Sequence, residues 1–409
     1  MNPKLVIALM GLPARGKSTM AAKIAHTMKS EGVKVEIFNN GELRRRLSKE
    51  NTSYPEFFSP DNREGVELRE RYARINMEQA RSFLESGGEL ALIDATNVTR
   101  HRRRLIEDTF RDVPLLFLEC MNADEEALEA NLERKTSLQE LSHLTAREAL
   151  DNFRTRIAYY ESIYEPLKEE RNRVLVDSFE GCILQEELTD LLPYWDRLKD
   201  LITTRVVHSL FLVRHGQTHY NLEDRIGGDS DLTDRGWAQA RALADHFSGH
   251  RIPIIFTSNY KRTRQTAIPI ARRQEHCSII ALTEFNEIHA GVCEGMTYQE
   301  IREKMPEVAG ARRRDKYGYV YPEGEGYATM ESRIYRGIQK VFYLSNHGDD
   351  IMIVGHQAVN RMILSYFLFR PKEEVPFIYM PQDRYYNIQI TPHKKLFELK
   401  PFHSEQGRP

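Results

Sequence analysis

Cysteine is scarce in this chain. Its 409 residues carry four, at Cys120, Cys182, Cys277 and Cys293, and no two form a Cys-x-x-Cys pair. That spacing argues against a disulfide framework or a zinc site and favours a reducing cytoplasm. Long apolar runs are missing too: none approaches the ~20 residues of a membrane span. Charge of one sign is not in excess. The balance of 58 basic against 60 acidic residues leaves a net charge of −2, so no overall field draws the chain to nucleic acid or to a membrane. The chain opens Met1-Asn2-Pro3-Lys4 and enters a strand-like run at once, so no signal peptide is expected. Internal repeats and low-complexity stretches are also absent. What is present is a hydrophobic fraction of 41% over a length too great for one ordinary core. Two domains are predicted, over 1–204 and 205–409.

In the first half, short apolar runs alternate with longer segments of helical periodicity. Leu5–Met10, Val33–Phe38, Leu90–Ile93, Pro114–Glu119 and Val174–Val176 read as buried strands. Arg63–Glu85 and Thr145–Ser162 read as helices between them. That alternation predicts a mainly parallel sheet covered on both faces. Leu191–Thr204 reads as a helix and linker, and a second α/β series follows. Its strands are expected at Leu210–Val213, Ile254–Thr257, Ile351–Val354, Tyr386–Ile390 and Leu396–Leu399.

Two motifs carry chemistry. The first, Gly11-Leu12-Pro13-Ala14-Arg15-Gly16-Lys17-Ser18, lies between a strand and a helix-forming run, the context of a phosphate-binding loop. There backbone N–H groups and the helix N-terminus face phosphate. Lys17 would hold the β and γ phosphates, and Ser18 would ligate Mg²⁺. Asp94 ends a neighbouring strand, where it can bind Mg²⁺ or take the proton of an attacking hydroxyl. It can also be read as a cap of the next helix. Arg44, Arg45 and Arg46, with Arg69 and Arg102, are candidates to grip an acceptor that itself carries phosphate, although such runs are commonly solvated helix faces.

The second motif is Arg214-His215-Gly216, directly after a strand. Lys261-Arg262-Thr263 and Gly355-His356-Gln357 also follow strands, and Glu287 adds a carboxylate. Strand ends of one parallel sheet open on one crevice. A neutral His215 can attack phosphorus. Arg214, Arg262 and His356 can hold the phosphoryl oxygens. Glu287 can protonate the leaving oxygen. The sequence shows no metal-type histidine spacing.

With these residues collected, the chain resembles the bifunctional 6-phosphofructo-2-kinase/fructose-2,6-bisphosphatase family. The likeness runs over nearly its whole length, through the two motifs above, Asp94-Ala-Thr-Asn, Ile226-Gly-Gly-Asp-Ser, Gly291-Val-Cys-Glu and His356-Gln-Ala-Val. The C-terminal half by itself resembles the phosphoglycerate mutase-like histidine phosphatases. The resemblance implies an N-terminal P-loop kinase and a C-terminal histidine phosphatase, both α/β. ATP, with Mg²⁺ on Ser18 and Asp94, would lie against Gly11 to Ser18, Thr19, Asn131 and Lys135. Arg45, Arg69, Thr96, Arg102, Lys135, Arg156 and Tyr160 match positions that hold fructose 6-phosphate. Arg214, Asn221, Gly227, Arg262, Tyr298, Arg312, Lys316, Tyr327, Gln357 and Arg361 match positions that hold fructose 2,6-bisphosphate. Departures from the family pattern fall at Gln217, His289, Val320 and Asn122. A homodimer is implied in the same way.

Two other readings remain open at this point. A nucleic-acid end-repair kinase joined to a phosphatase would need a basic, aromatic groove, which the near-neutral composition does not supply. A metabolite sensor with decayed sites would not be expected to keep Lys17, Asp94, His215, Glu287 and His356.

Overall fold

The computed structural model describes residues 3–48, 52–136, 144–204, 207–345, 349–368, 370–391 and 394–402. The chain divides into two compact units, Met1–Arg205 and Val206–Pro409.

In the first unit the strands are β1 (Leu5–Met10), β2 (Val35–Asn39), β3 (Leu90–Asp94), β4 (Leu115–Met121), β5 (Asn172–Asp177) and β6 (Cys182–Leu188). They form one sheet in the order β2-β3-β1-β4-β5-β6. All neighbours run parallel except β6, which returns antiparallel to β5. Helices α1 (Lys17–Ser30), α2 (Asn40–Leu47), α3 (Arg63–Glu85), α4 (Arg100–Thr109), α5 (Glu125–Thr136), α6 (Ala146–Ser162) and α7 (Trp195–Thr203) connect or flank them. The central strand β1 explains the layering. Successive side chains of a strand point to opposite faces. Leu5, Ile7 and Leu9 therefore pack with Ile24 of α1 and Leu198 of α7. Val6 and Ala8 pack on the other face, with Met77 of α3 and Ile106 of α4. A strand buried on both faces reads as an unbroken apolar run, as β1 does.

The second unit contains β7 (Val207–Arg214), β8 (Ile254–Thr257), β9 (Ser278–Ala281), β10 (Ile351–Gly355), β11 (Arg384–Thr391) and β12 (Lys394–Pro401). Their order is β12-β11-β7-β10-β8-β9. Strands β7, β10, β8 and β9 run parallel, and β11 and β12 close one side antiparallel. Its helices are α8 (His219–Leu222), α9 (Asp234–His246), α10 (Lys261–Ala271), α11 (Tyr298–Lys304), α12 (Pro306–Arg314), α13 (Tyr327–Leu344) and α14 (Gln357–Phe367).

The expected strands and helices are present, with ends shifted by a few residues. The helix expected over Leu191–Thr204 is shorter, Trp195–Thr203, and Leu191 lies outside it and is fully exposed. Two strands escaped the sequence reading. β6 mixes charged and apolar residues because it is an edge, and β9 is only four residues long.

Candidate active sites

In the first unit the loop between β1 and α1 turns at Gly11, whose φ is 133°. A Cβ there would lie 2.3 Å from the carbonyl oxygen of Cys120 on β4, so only glycine fits. The loop is held from several sides. Gly11 N donates to Thr96 O at 3.0 Å. Asn131 Nδ2 donates to Ala14 O at 2.8 Å, and Arg15 Nη1 donates to Asn122 O at 2.9 Å. Asn131 thus supports the loop through its backbone. Lys17 begins α1 and donates from Nζ to Leu12 O at 2.6 Å. Burial, against the pull of Asp94, pushes its pKa down to about 8. Ser18 is exposed, one residue into the helix.

A cavity of about 540 Å³ opens beside this loop. Lys17, Ser18 and Asp94 line it together with Arg45, Arg69, Thr96, Arg102, Arg156 and Tyr160. Every described residue expected at the acceptor site therefore borders one space. Lys135 falls on α5, and its side chain lies outside the described residues. Gly11, Leu12, Arg15, Gly16 and Thr19 do not line this cavity.

The arginines differ in how they are held. Arg44 is buried, bonded to Thr52 O at 2.9 Å and packed over Phe58, which leaves Arg45 exposed on the same helix. Arg69 bonds the carbonyl of Phe57, and burial lowers its pKa. Arg102 pairs with Glu70. The Arg156 guanidinium stacks 3.8 Å over the Phe58 ring. Asp94, at the carboxyl end of β3, accepts a hydrogen bond on Oδ2 from Asn39 Nδ2. The Oδ1 of Asn39 caps α2 through Glu42 N at 2.9 Å. Asn39 and Glu70 were not singled out from sequence, although Asn39 ends a parallel strand at the ligand edge, where such residues collect. The donors available to a cation are a carboxylate and a hydroxyl, the hard oxygens that suit Mg²⁺ alongside phosphate oxygens.

In the second unit the strand ends converge as expected. His215 follows β7, His356 follows β10, and Arg262 is on the first turn of α10. His215 is 4% exposed and His356 is fully buried. Their rings lie 5.3 Å apart, edge to face. His215 Nδ1 is 2.8 Å from Gly216 O, so it must carry the hydrogen, and the lone pair is on Nε2. Burial, then the charges of Arg262 and Arg214, hold the His215 pKa well below the ordinary histidine value. Burial, then Arg262 and His215, do the same for His356. Both imidazoles are neutral near pH 7.

Arg262 donates from Nε to His356 Nδ1 at 3.1 Å and from Nη1 to Gly228 O. His356 Nε2 then donates to Ser258 Oγ at 2.8 Å. Both ring nitrogens of His356 are engaged by protein, and His356 does not line the cavity. In this arrangement His356, expected to hold phosphoryl oxygens, fixes the direction of Arg262. Arg214 donates from Nη1 to Met380 O at 3.0 Å, and its buried Nε has no partner among the described residues. Burial lowers the pKa of both arginines. Glu287 accepts from Ile288 N at 3.0 Å and Ala358 N at 3.3 Å, the latter in the first turn of α14.

A cavity of about 450 Å³ is bordered by Arg214, His215, Arg262 and Glu287. Asn221, Gly227, Tyr298, Arg312, Lys316, Tyr327, Gln357 and Arg361 border it too, so the whole expected ligand set shares this space. Arg312 lies 5.2 Å over the Tyr298 ring. Arg361 Nη1 donates to the Tyr327 hydroxyl at 3.2 Å. Burial, with Arg312 and Arg361 nearby, pushes Lys316 down to about 8. Gly227 (φ 68°) lies against Glu294, which accepts from Gly228 N and Ala290 N, both at 2.6 Å. Gln217 lines the cavity, but His289 and Val320 do not; Val320 is 41% exposed. Ser258, Glu294 and Gln382 were missed as contributors. Glu294 stood within a motif already noted, whereas Gln382 lies in a loop with no motif.

Comparison with known proteins gives a family match for each half of the chain. The family model described as 6-phosphofructo-2-kinase matches residues 1–208, and that of the histidine phosphatase superfamily (branch 1) matches 210–400. The chain is 35% identical over 401 residues to 6-phosphofructo-2-kinase/fructose-2,6-bisphosphatase 3 of Homo sapiens, covering 93% of this chain and 73% of that one. It is 35% identical over 412 residues to the 6-phosphofructo-2-kinase/fructose-2,6-bisphosphatase of Caenorhabditis elegans, covering 95% and 86%. Among solved structures, the alpha-ribazole phosphatase of Shigella flexneri aligns with 47% of this chain and 95% of its own, at 23% identity and a TM-score of 0.43. The chain belongs to the 6-phosphofructo-2-kinase/fructose-2,6-bisphosphatase family.

Proposed function

We propose that the chain both makes and destroys fructose 2,6-bisphosphate. The observation that carries this reading is that in each unit the described residues expected to grip the sugar phosphate border a single cavity, beside Lys17 and Asp94 in one and beside His215 and Glu287 in the other. In the kinase, Lys17 holds the terminal phosphates of ATP, and Arg45, Arg69, Arg102 and Arg156 grip the 6-phosphate of fructose 6-phosphate. Asp94 accepts the proton of the C2 hydroxyl on the oxygen that Asn39 leaves open. Ser18 and Asp94 would hold Mg²⁺, which neutralises charge on the nucleotide phosphates when bound.

In the phosphatase, Nε2 of His215 attacks the phosphorus of the 2-phosphate, and the bond to the C2 oxygen breaks. Glu287, protonated at that step, gives its proton to the departing oxygen. Water then attacks the phosphohistidine and loses a proton to the Glu287 carboxylate, and inorganic phosphate leaves. Arg214 and Arg262 neutralise the phosphoryl group in flight.

The substrates are small molecules, and nucleic acid is not among the partners. A homodimer in the cytoplasm is proposed from the family likeness and the cysteine usage; no helix among the described residues is long and apolar enough to cross a membrane. The direct test is incubation of the purified chain with ATP, Mg²⁺ and fructose 6-phosphate. Formation and later loss of an acid-labile sugar bisphosphate is expected.

A further inference from the structure

A seven-residue segment, Pro376 to Gln382, touches five of the residues around the phosphatase cavity. Lys316 Nζ donates to Pro376 O at 3.1 Å, Arg361 Nε to Ile378 O at 2.7 Å, and Arg214 Nη1 to Met380 O at 3.0 Å. Carbonyls of alternate residues thus meet three cations in turn. At the end of the segment, Gln382 Nε2 donates to His215 O at 3.1 Å and to Asn221 Oδ1 at 3.0 Å. The amide orientation is forced. The carbonyl of His215 can only accept, and Asn221 Oδ1 is already fixed as an acceptor by Thr218 N at 3.1 Å.

We propose that Gln382 is a positioning residue for the phosphatase, clasping the backbone of His215 to the side chain of Asn221 so that nucleophile and substrate grip keep one spacing. The proposal rests on the reading of His215 as the nucleophile. His215 is tied by its N–H to Gly355 O at 3.0 Å and by its ring to Gly216 O. Gln382 supplies the third tie, at the carbonyl. With both lone pairs of Asn221 Oδ1 occupied, Asn221 Nδ2 is the edge left to donate to a substrate oxygen. With both N–H groups of Gln382 spent, its Oε1 is left as an acceptor beside a cavity otherwise crowded with cations, Arg214, Arg312, Lys316 and Arg361 among them. Such an acceptor suits a sugar hydroxyl, which must donate somewhere. A small displacement of a nucleophile costs rate steeply, because the reacting atoms must stay near contact distance.

The test compares Gln382→Glu and Gln382→Leu with the unaltered full chain. Phosphohistidine formation from fructose 2,6-bisphosphate is read by rapid quench, alongside the steady-state KM. Kinase activity of each variant serves as the folding control. Gln382→Glu keeps the shape but turns an acceptor toward two acceptors. It should slow phosphohistidine formation about tenfold or more, and more than Gln382→Leu does, with the kinase unchanged. Lowering the pH should partly restore the Glu variant relative to the unaltered chain, since a protonated carboxyl can donate once. A role in packing alone predicts the opposite order, with the near-isosteric Glu milder than Leu. That order, or wild-type rates in both variants, would overturn the proposal. A chain that forms no phosphohistidine before any substitution would overturn the functional reading and this proposal with it.

Discussion

Arg262 donates from Nε to Nδ1 of His356 at 3.1 Å. One contact thereby fixes two things, the direction of the Arg262 guanidinium and the tautomer of a buried histidine. A lysine at 262 keeps the charge but cannot serve His356, Gly228 O and a phosphoryl oxygen together. Arg262→Lys should cut the rate of phosphohistidine formation by roughly ten- to a hundredfold, the worth of a charged hydrogen bond, and spare the kinase. Rapid-quench labelling reads this. An unaltered rate would mean that the guanidinium fork is not used.

The two buried histidines also set a pH dependence. Their native pKa values lie well below the ordinary value, mainly through burial. Above pH 6.5 native and unfolded states are both neutral at these sites, and the full stability is present. As pH falls below 6.5 the unfolded chain takes up protons that the native state refuses, so stability drops. The loss approaches about 1.4 kcal/mol per histidine per pH unit until the native pKa is reached. Denaturant unfolding between pH 8 and 5.5 checks the slope, and His356→Gln should flatten it.

Lys17 titrates in the opposite range. With its pKa near 8 in the free protein, a pH 8 sample holds roughly half of its sites uncharged. Nucleotide phosphates favour the charged form, so binding should draw in about half a proton at that pH. Calorimetry in buffers of differing ionisation enthalpy measures it. Lys17→Met should show weaker binding and no uptake; equal uptake in the variant would place the proton elsewhere.

Gly227 offers a steric test. An added Cβ would fall 1.9 Å from Glu294 Oε2 at a φ of 68°. Gly227→Ala should destabilise the phosphatase unit by about 1–3 kcal/mol and raise its KM. Gly249→Ala, where the Cβ meets open space, should leave thermal stability unchanged.

Much of this was legible in the sequence because parallel strands deliver their last residues to one edge. Asp94, Arg214 and His356 were findable from apolar runs followed by polar residues. The supporting contacts were not. Ser258, Glu294 and Gln382 act through hydrogen bonds to residues 98, 66 and 167 positions away, and no local pattern records such a pairing. His356 shows the limit most plainly. Its place was readable, but its engagement by Arg262 and Ser258 is set by the fold, across 94 and 98 positions of sequence. Edge strand β6 was hidden for a different reason: its faces are partly exposed, so it lacks the unbroken apolar run that marks a strand buried on both faces.

By this reading one chain forms and hydrolyses the same bisphosphate at two separate sites. It is tested by following label from ATP, carried in its γ-phosphoryl group, in the presence of fructose 6-phosphate and Mg²⁺. Label should pass first into an acid-labile sugar bisphosphate, then transiently onto His215 as an alkali-stable phosphoprotein, and finally into inorganic phosphate. In His215→Ala the bisphosphate should accumulate without decay, and in Lys17→Ala it should never form while added bisphosphate is still hydrolysed. Loss of both activities in either folded variant, or decay of the bisphosphate in His215→Ala at the rate of the unaltered chain, would contradict the claim.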